Sequence, residues 1–173
     1  MRAVLLLSAI CAHTSALVWT RHLIPLSGEL VLTDVHAVIA GDRIISVVTG
    51  ESGVALKLDA PVSGNASATP WTTLLDESFP FYFYGVFVFD ALNYLLSGFI
   101  DGSGQSYGVV SFTTDGGNSW TNDSKIDPSA WGGGPIEFAS PLEGWMPSTS
   151  GASAWRTQSG GRSVADWTEI VNN

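Results

Sequence analysis

Apolar residues in this chain come in short runs, each closed by Gly, Asp, Asn or Ser. The runs fall at residues 35–39, 43–48 and 54–58, then at 86–89, 94–99 and 107–112, and again at 135–138, 144–146 and 153–157. Val, Ile, Phe, Tyr and Trp dominate them, which is the composition that fits a pleated, half-buried surface. A sustained helical period is lacking outside the first residues. The pattern predicts an all-β chain in which groups of three strands recur.

The dipeptide Trp-Thr marks the recurrence. It stands at Trp19-Thr20, Trp71-Thr72, Trp120-Thr121 and Trp167-Thr168, roughly 50 residues apart, the size of one four-stranded propeller blade. The expected units are residues 19–70, 71–119 and 120–166, with a fourth opening at 167. A variable polar loop is expected after each Trp-Thr. Closed propellers carry roughly four to eight blades. About three four-stranded, propeller-like blades therefore predict an incomplete or truncated propeller. Its open flanks would suit self-association.

Residues 113–120 read Thr113-Thr114-Asp115-Gly116-Gly117-Asn118-Ser119-Trp120. Asp-Gly is a tight-turn signal: glycine accepts positive φ, and the Asp carboxylate can take bonds from nearby N–H groups. Trp120 is then placed to anchor the returning strand. The stretch resembles the Asp-box, Ser/Thr-x-Asp-x-Gly-x-Ser/Thr-Trp, at Thr113, Asp115, Gly117, Ser119 and Trp120. Those five residues are expected to serve as a structural turn. Worn copies flank it. Residues 157–167 place Ser159 at the Asp position and insert Val164-Ala165-Asp166 before Trp167, and residues 57–71 keep little beyond Asp59.

Asp-box proteins include sialidases, xyloglucan-degrading glucanases, sortilin-type receptors and the photosystem II assembly and stability factors. The succession of an apolar strand, Gly144-Trp145 and a Thr-x-Asp-Gly-Gly-x-Ser-Trp turn is most similar to the repeat of the last family. That resemblance implies a non-enzymatic propeller that binds partner proteins during assembly. The alternative is a fragment of a secreted glycoside hydrolase, sialidase- or xyloglucanase-like, or of a sortilin-like receptor ectodomain.

Composition narrows the range of functions. The 173 residues are 45% hydrophobic and 13% charged, with 19 glycines, as suits a packed, turn-rich domain. The net charge of −9 and only seven basic residues exclude a phosphate-neutralising groove, so no nucleic-acid partner is expected. Residues 1–16 resemble a secretory signal peptide: Arg2, a short apolar run, then Thr14-Ser15-Ala16 as a small-residue cleavage site. The only cysteine, Cys11, falls within it. Asn65 and Asn122 head Asn-x-Ser sequons and are candidate glycosylation sites. Together these favour the secretory pathway, with a plastid reached by signal peptide as the second destination. No membrane span is expected in the mature chain.

Candidate chemistry is sparse. Asp76, Glu77, Asp90, Asp101, Glu137 and Glu143 are carboxylates without a glycosidase frame, and Arg21, Arg43, Arg156 and Arg162 do not form an arginine cluster motif. His22 and His36 are isolated, His36 within an apolar run, and Asp101-Gly102-Ser103-Gly104 lacks the downstream Glu of a calcium loop. No catalytic residue, metal or cofactor is assigned. Trp131, Trp145 and Trp155, with Tyr82, Phe83 and Tyr84, are candidates for an exposed aromatic patch facing a protein or a sugar. The competing reading is that they fill spaces between blades.

Overall fold

A computed structural model describes residues 4–7, 20–23, 31–62, 70–76, 80–102, 105–125, 134–147 and 153–171. Strands β1 (Val4–Leu7) and β2 (Thr20–Leu23) pair antiparallel. Three four-stranded antiparallel sheets follow among the described residues. The first runs through β3 (Leu32–Ala40), β4 (Arg43–Gly50), β5 (Ala55–Pro61) and β6 (Thr72–Leu75). The second holds β7 (Phe81–Val88), β8 (Tyr94–Gly102), β9 (Gln105–Thr113) and β10 (Thr121–Lys125). The third holds β11 (Glu137–Phe138), β12 (Gly144–Pro147), β13 (Ser153–Thr157) and β14 (Trp167–Val171). Each sheet is an up-and-down meander, so the chain is all-β and matches part of a β-propeller.

The sheets stack face to face. Ile45, Val47 and Leu75 of the first pack with Phe83, Val86, Val88 and Leu96 of the second. On the far side of the second sheet, Leu95, Val110 and Phe112 pack with Ile136, Met146, Trp155 and Trp167 of the third. Both faces of β8 are thus buried, which is why its run Tyr-Leu-Leu lacks a polar alternate. Each fully buried side chain of this size contributes about 1.5–3 kcal/mol of transfer free energy.

The sequence period and the sheets are offset by one strand. Residues after each Trp-Thr, expected as a polar loop, instead form the fourth strand of the sheet before them: β6, β10 and β14. Trp167-Thr168, expected to open a further unit, therefore pairs with Thr157 and Arg156 and completes the third sheet. The physical reason is position. A fourth strand lies at the outer edge of its sheet and tolerates polar residues there, with Thr121 and Asn122 exposed, so Thr121-Asn122-Asp123-Ser124-Lys125 reads as a loop. The first strand of the third sheet is shorter than its apolar run, because Pro135 has no N–H to give a ladder.

The pair β1–β2 has the same phase. Thr20 opens β2 as Thr72 opens β6 and Thr121 opens β10, and each pairs with the strand just before it. Val4–Leu7, inside the expected export signal, is thus a strand here. Cys11 and the Thr14-Ser15-Ala16 junction lie outside the described residues.

Candidate binding site

Antiparallel meanders bring the first and third connections of each sheet to one end. The 113–120 turn, between β9 and β10, lies there beside the 90–93 turn between β7 and β8. Its hydroxyl and carboxylate are fully employed. Thr113, 1% exposed, donates its hydroxyl to Asp115 Oδ1 at 2.8 Å. Thr113 Oγ1 in turn accepts the N–H of Gly117 at 3.0 Å and that of Asp115 at 3.3 Å. Asp115 also accepts from Ser119, from the N–H at 2.9 Å and the hydroxyl at 2.6 Å. Bonds from the Ser119 hydroxyl and N–H, and from Thr113, pull the Asp115 pKa down to about 2.

Gly116 and Gly117 have φ of 73° and 95°, a region that disfavours a Cβ. The Gly116 N–H reaches across to the Leu92 carbonyl at 2.9 Å, and Trp120 Nε1 donates to the Gly117 carbonyl at 3.2 Å. The five residues singled out in sequence thus meet in one turn that ties two connections together.

The worn copy keeps this backbone and changes its fastenings. Gly160 and Gly161 have φ of 93° and 66°. The Gly160 N–H reaches the Leu142 carbonyl at 2.9 Å, and Trp167 Nε1 donates to the Gly161 carbonyl at 3.0 Å. Ser159 supplies no carboxylate. Instead Ser163 caps the inserted Val164–Asp166 turn, its N–H bonding Asp166 Oδ2 at 3.0 Å. Asp123 of the second sheet accepts from the Ser163 hydroxyl at 2.5 Å and the Val164 N–H at 3.0 Å. The insertion therefore fastens the third sheet to the second.

The first strands of the sheets meet at the middle of the stack. There β3 covers the open edge of β7 with side chains. Thr33 donates to the Phe83 carbonyl at 2.6 Å, Asp34 Oδ2 accepts the Val86 N–H at 2.9 Å, and His36 Nδ1 accepts the Val88 N–H at 3.1 Å. Burial raises the Asp34 pKa, against the bonds from Val86 and Val35, and burial lowers that of His36. His36 is thus a neutral acceptor, with its ring centroid 4.2 Å from that of Phe87. Thr33 and Asp34 were not apparent in the sequence.

At the turn end, the ends of β7 and β11 frame a cavity of about 350 Å³, with Val38 of β3 at its side. Phe87, Phe89 and Phe138 form an aromatic wall, with centroids 4.8–5.0 Å apart. Asp90 lines it, but its carboxylate is committed to its own turn, accepting from Leu92 N–H at 2.8 Å and from the Asn93 N–H and side-chain amide at 2.9 Å. Partial burial works to raise the Asp90 pKa, yet those bonds and the Arg162 charge hold it below the ordinary value.

The other sequence candidates scatter. Arg43 pairs with Asp59 and Arg156 with Glu143. Arg21, His22 and Asp101 lie in strands on other parts of the chain. Asp76 follows β6, and Glu137 lies exposed in β11. Among the described residues no three His, Cys, Asp or Glu side chains gather as metal ligands. Asn122 is exposed in β10, its Oδ1 accepting from the Ser111 hydroxyl at 2.7 Å. Glu77, Asn65, Ser103, Gly104 and Trp131 lie outside the described residues.

The expected aromatic patch divides. Phe83 and Trp155 are buried at 0% and 3%, filling space between sheets, whereas Trp145 is exposed beside Arg156. Tyr82 and Tyr84 stack on Phe99, at 5.0 and 5.5 Å. Among the described residues no helix is long and apolar enough to cross a membrane.

The fold has a counterpart among solved structures. The chain is similar to one described as "YCF48 bound to D1 peptide", with a TM-score of 0.56 and 18% identity over 87% of this chain. It spans 42% of that chain's length. At that identity the likeness is one of fold, a β-propeller of which this chain matches a part. No family model and no curated protein matches the chain.

Proposed function

We propose that this chain is a non-catalytic, propeller-type binding or assembly protein that holds a protein segment at the turn end of its first strands. The observation that carries this reading is the commitment of the carboxylates there. A general acid needs a raised pKa and a free proton to give. Asp90 and Asp115 are instead held ionised by turn N–H and side-chain donors, and so stiffen the rim of an aromatic cavity. The 113–120 turn, read as an Asp-box, is then part of the scaffold and not of any chemistry. The D1 peptide is a ligand of YCF48, and its relevance here is as a precedent for a propeller holding a peptide.

Selection from a peptide-display library, run beside a glycan array and a sialidase and xyloglucanase substrate panel, tests the reading. The expected outcome is enrichment of peptides and no turnover. Turnover of a glycan substrate would establish the hydrolase-fragment alternative, and binding to glycans alone would replace the protein partner with a carbohydrate.

Two further readings belong with this one. Residues 1–16 are taken as an export signal, leading to the secretory pathway or through it to a plastid, with Asn65 and Asn122 as glycan acceptors. Removal of those residues would leave β2 without β1, so N-terminal sequencing of chain recovered from secreting cells is decisive. A start at Leu17 supports export, and a start at Met1 supports the paired strand. The open sheet flanks also favour self-association, for which a monomer at all concentrations in sedimentation equilibrium would be the refuting result.

A further inference from the structure

We propose that the cavity beside Phe87, Phe89 and Phe138 is a binding site for a carboxylate carried on an apolar or aromatic body, with Arg162 as its anchor. The assignment deepens the binding reading above and rests on it. The starting point is the fate of the cations. Arg43 and Arg156 each spend their guanidinium on a carboxylate. Arg162, at the cavity's edge, makes no hydrogen bond or ion pair with any described residue. Its guanidinium lies over the Phe112 ring at 4.6 Å, a contact that uses none of its N–H donors.

A planar fork of donors unclaimed by any described residue, beside an apolar wall, suits a carboxylate, which it can grip in two parallel bonds. The nearest acid cannot fill that role. Both Asp90 oxygens accept from Asn93, and Oδ1 also takes the Leu92 N–H. Asp90 therefore lies close enough to feel the Arg162 charge without being bonded to it.

The wall selects the body of the ligand. Phe87, Phe89 and Phe138 present half-buried ring surface to a space of about 350 Å³, within the usual range for a small-ligand pocket. A cationic ligand is disfavoured, because the charged residues lining the cavity are Arg162 and Asp90, and the Asp90 carboxylate is committed to its own turn. An aromatic or branched apolar group against the rings, with its carboxylate at Arg162, satisfies both features. That chemistry comes from two sources: a free aryl- or acyl-carboxylic acid, or the C-terminal residue of a peptide.

Ligand-observed NMR with 4-phenylbutyrate, its amide and 4-phenylbutylamine tests the site, alongside two tetrapeptides ending in phenylalanine, one with a free carboxylate and one amidated. The acid is expected to bind at least tenfold more tightly than the amide or the amine. The Arg162→Gln chain, checked for an unchanged melting temperature, should lose that preference, and Arg162→Lys should retain part of it. Equal binding of acid and amide, or binding unaffected by Arg162→Gln, overturns the assignment. Preference for the free-carboxylate peptide over phenylbutyrate identifies a chain terminus as the source, and the reverse identifies a small acid. If library peptides bind without regard to their terminal carboxylate, the binding function stands and this site falls. If phenylbutyrate binds by these rules and no peptide does, the site stands and the protein-partner reading falls.

Discussion

Replacing Thr113 with valine tests how much one hydroxyl holds the 113–120 turn together. Valine is nearly isosteric and suits a strand, so packing at this 1%-exposed position changes little. The loss is polar. The hydroxyl serves three bonds: one to Asp115 Oδ1, and one each from the N–H groups of Gly117 and Asp115. Leaving partners unsatisfied at a buried site costs about 1–3 kcal/mol, so Thr113→Val should destabilise by about 2 kcal/mol. For a chain of this size that lowers the melting temperature by about 6 °C. Thr157 provides an internal control. It is equally buried, but its hydroxyl accepts a single bond, from Ser159 N–H at 3.2 Å. Thr157→Val should cost about 0.5–1 kcal/mol, or about 2 °C. Chemical denaturation of the two variants beside the parent chain is the assay. A Thr157→Val loss equal to or larger than that of Thr113→Val would refute the reasoning, as would a neutral Thr113→Val.

Three other predictions follow from the same geometry. The folded pKa of Asp115 is depressed to about 2, so its contribution is present above the unfolded value near 4 and is lost as pH falls toward 2. Asp115→Asn should flatten the acid limb of the stability curve over that window in circular dichroism. Gly161→Ala places a Cβ at φ 66° and 2.5 Å from the Trp167 ring, whereas Gly41→Ala at φ 65° meets nothing within 4 Å. Both pay about 1 kcal/mol of left-handed strain, and only Gly161→Ala should lose markedly more and shift the Trp167 fluorescence. Burial lowers the His36 pKa, so the neutral imidazole that holds Val88 N–H stabilises the fold above about pH 6.5, and this is lost as pH falls through the folded value. His36→Gln should reduce the slope of stability against pH just below about pH 6.5, the ordinary histidine value, and an unchanged slope would show that the bond is not coupled to protonation.

The inner strands of the sheets were legible because they are buried and rich in apolar residues, as at β4 and β8. The turn at residues 113–120 was legible because its chemistry is local: donors and acceptors lie within four residues of Asp115. The outer strands were not, since the sequence of β10 is polar, and its place is set by pairing with β9 and by the bonds that Asp123 accepts from Ser163 and Val164, some 40 residues on. Contacts that join sheets were hidden for a related reason. Asp34 and His36 each reach a partner on the neighbouring sheet, 52 positions along the chain. Arg162 looked like any surface arginine until the folded chain placed Phe112 beneath it and assigned Arg43 to Asp59 and Arg156 to Glu143. Trp145 and Trp155 could not be told apart by type, since only their strand register sends one to water and the other inward.

Hydrogen exchange of the chain with and without a library-selected peptide tests the central claim most directly. The account predicts added protection at residues 87–93 and 138–143, which frame the cavity at the turn end, with the outer strands β6, β10 and β14 unchanged. Protection confined to those outer strands or to β1–β2, with the cavity turns exchanging as before, would contradict it.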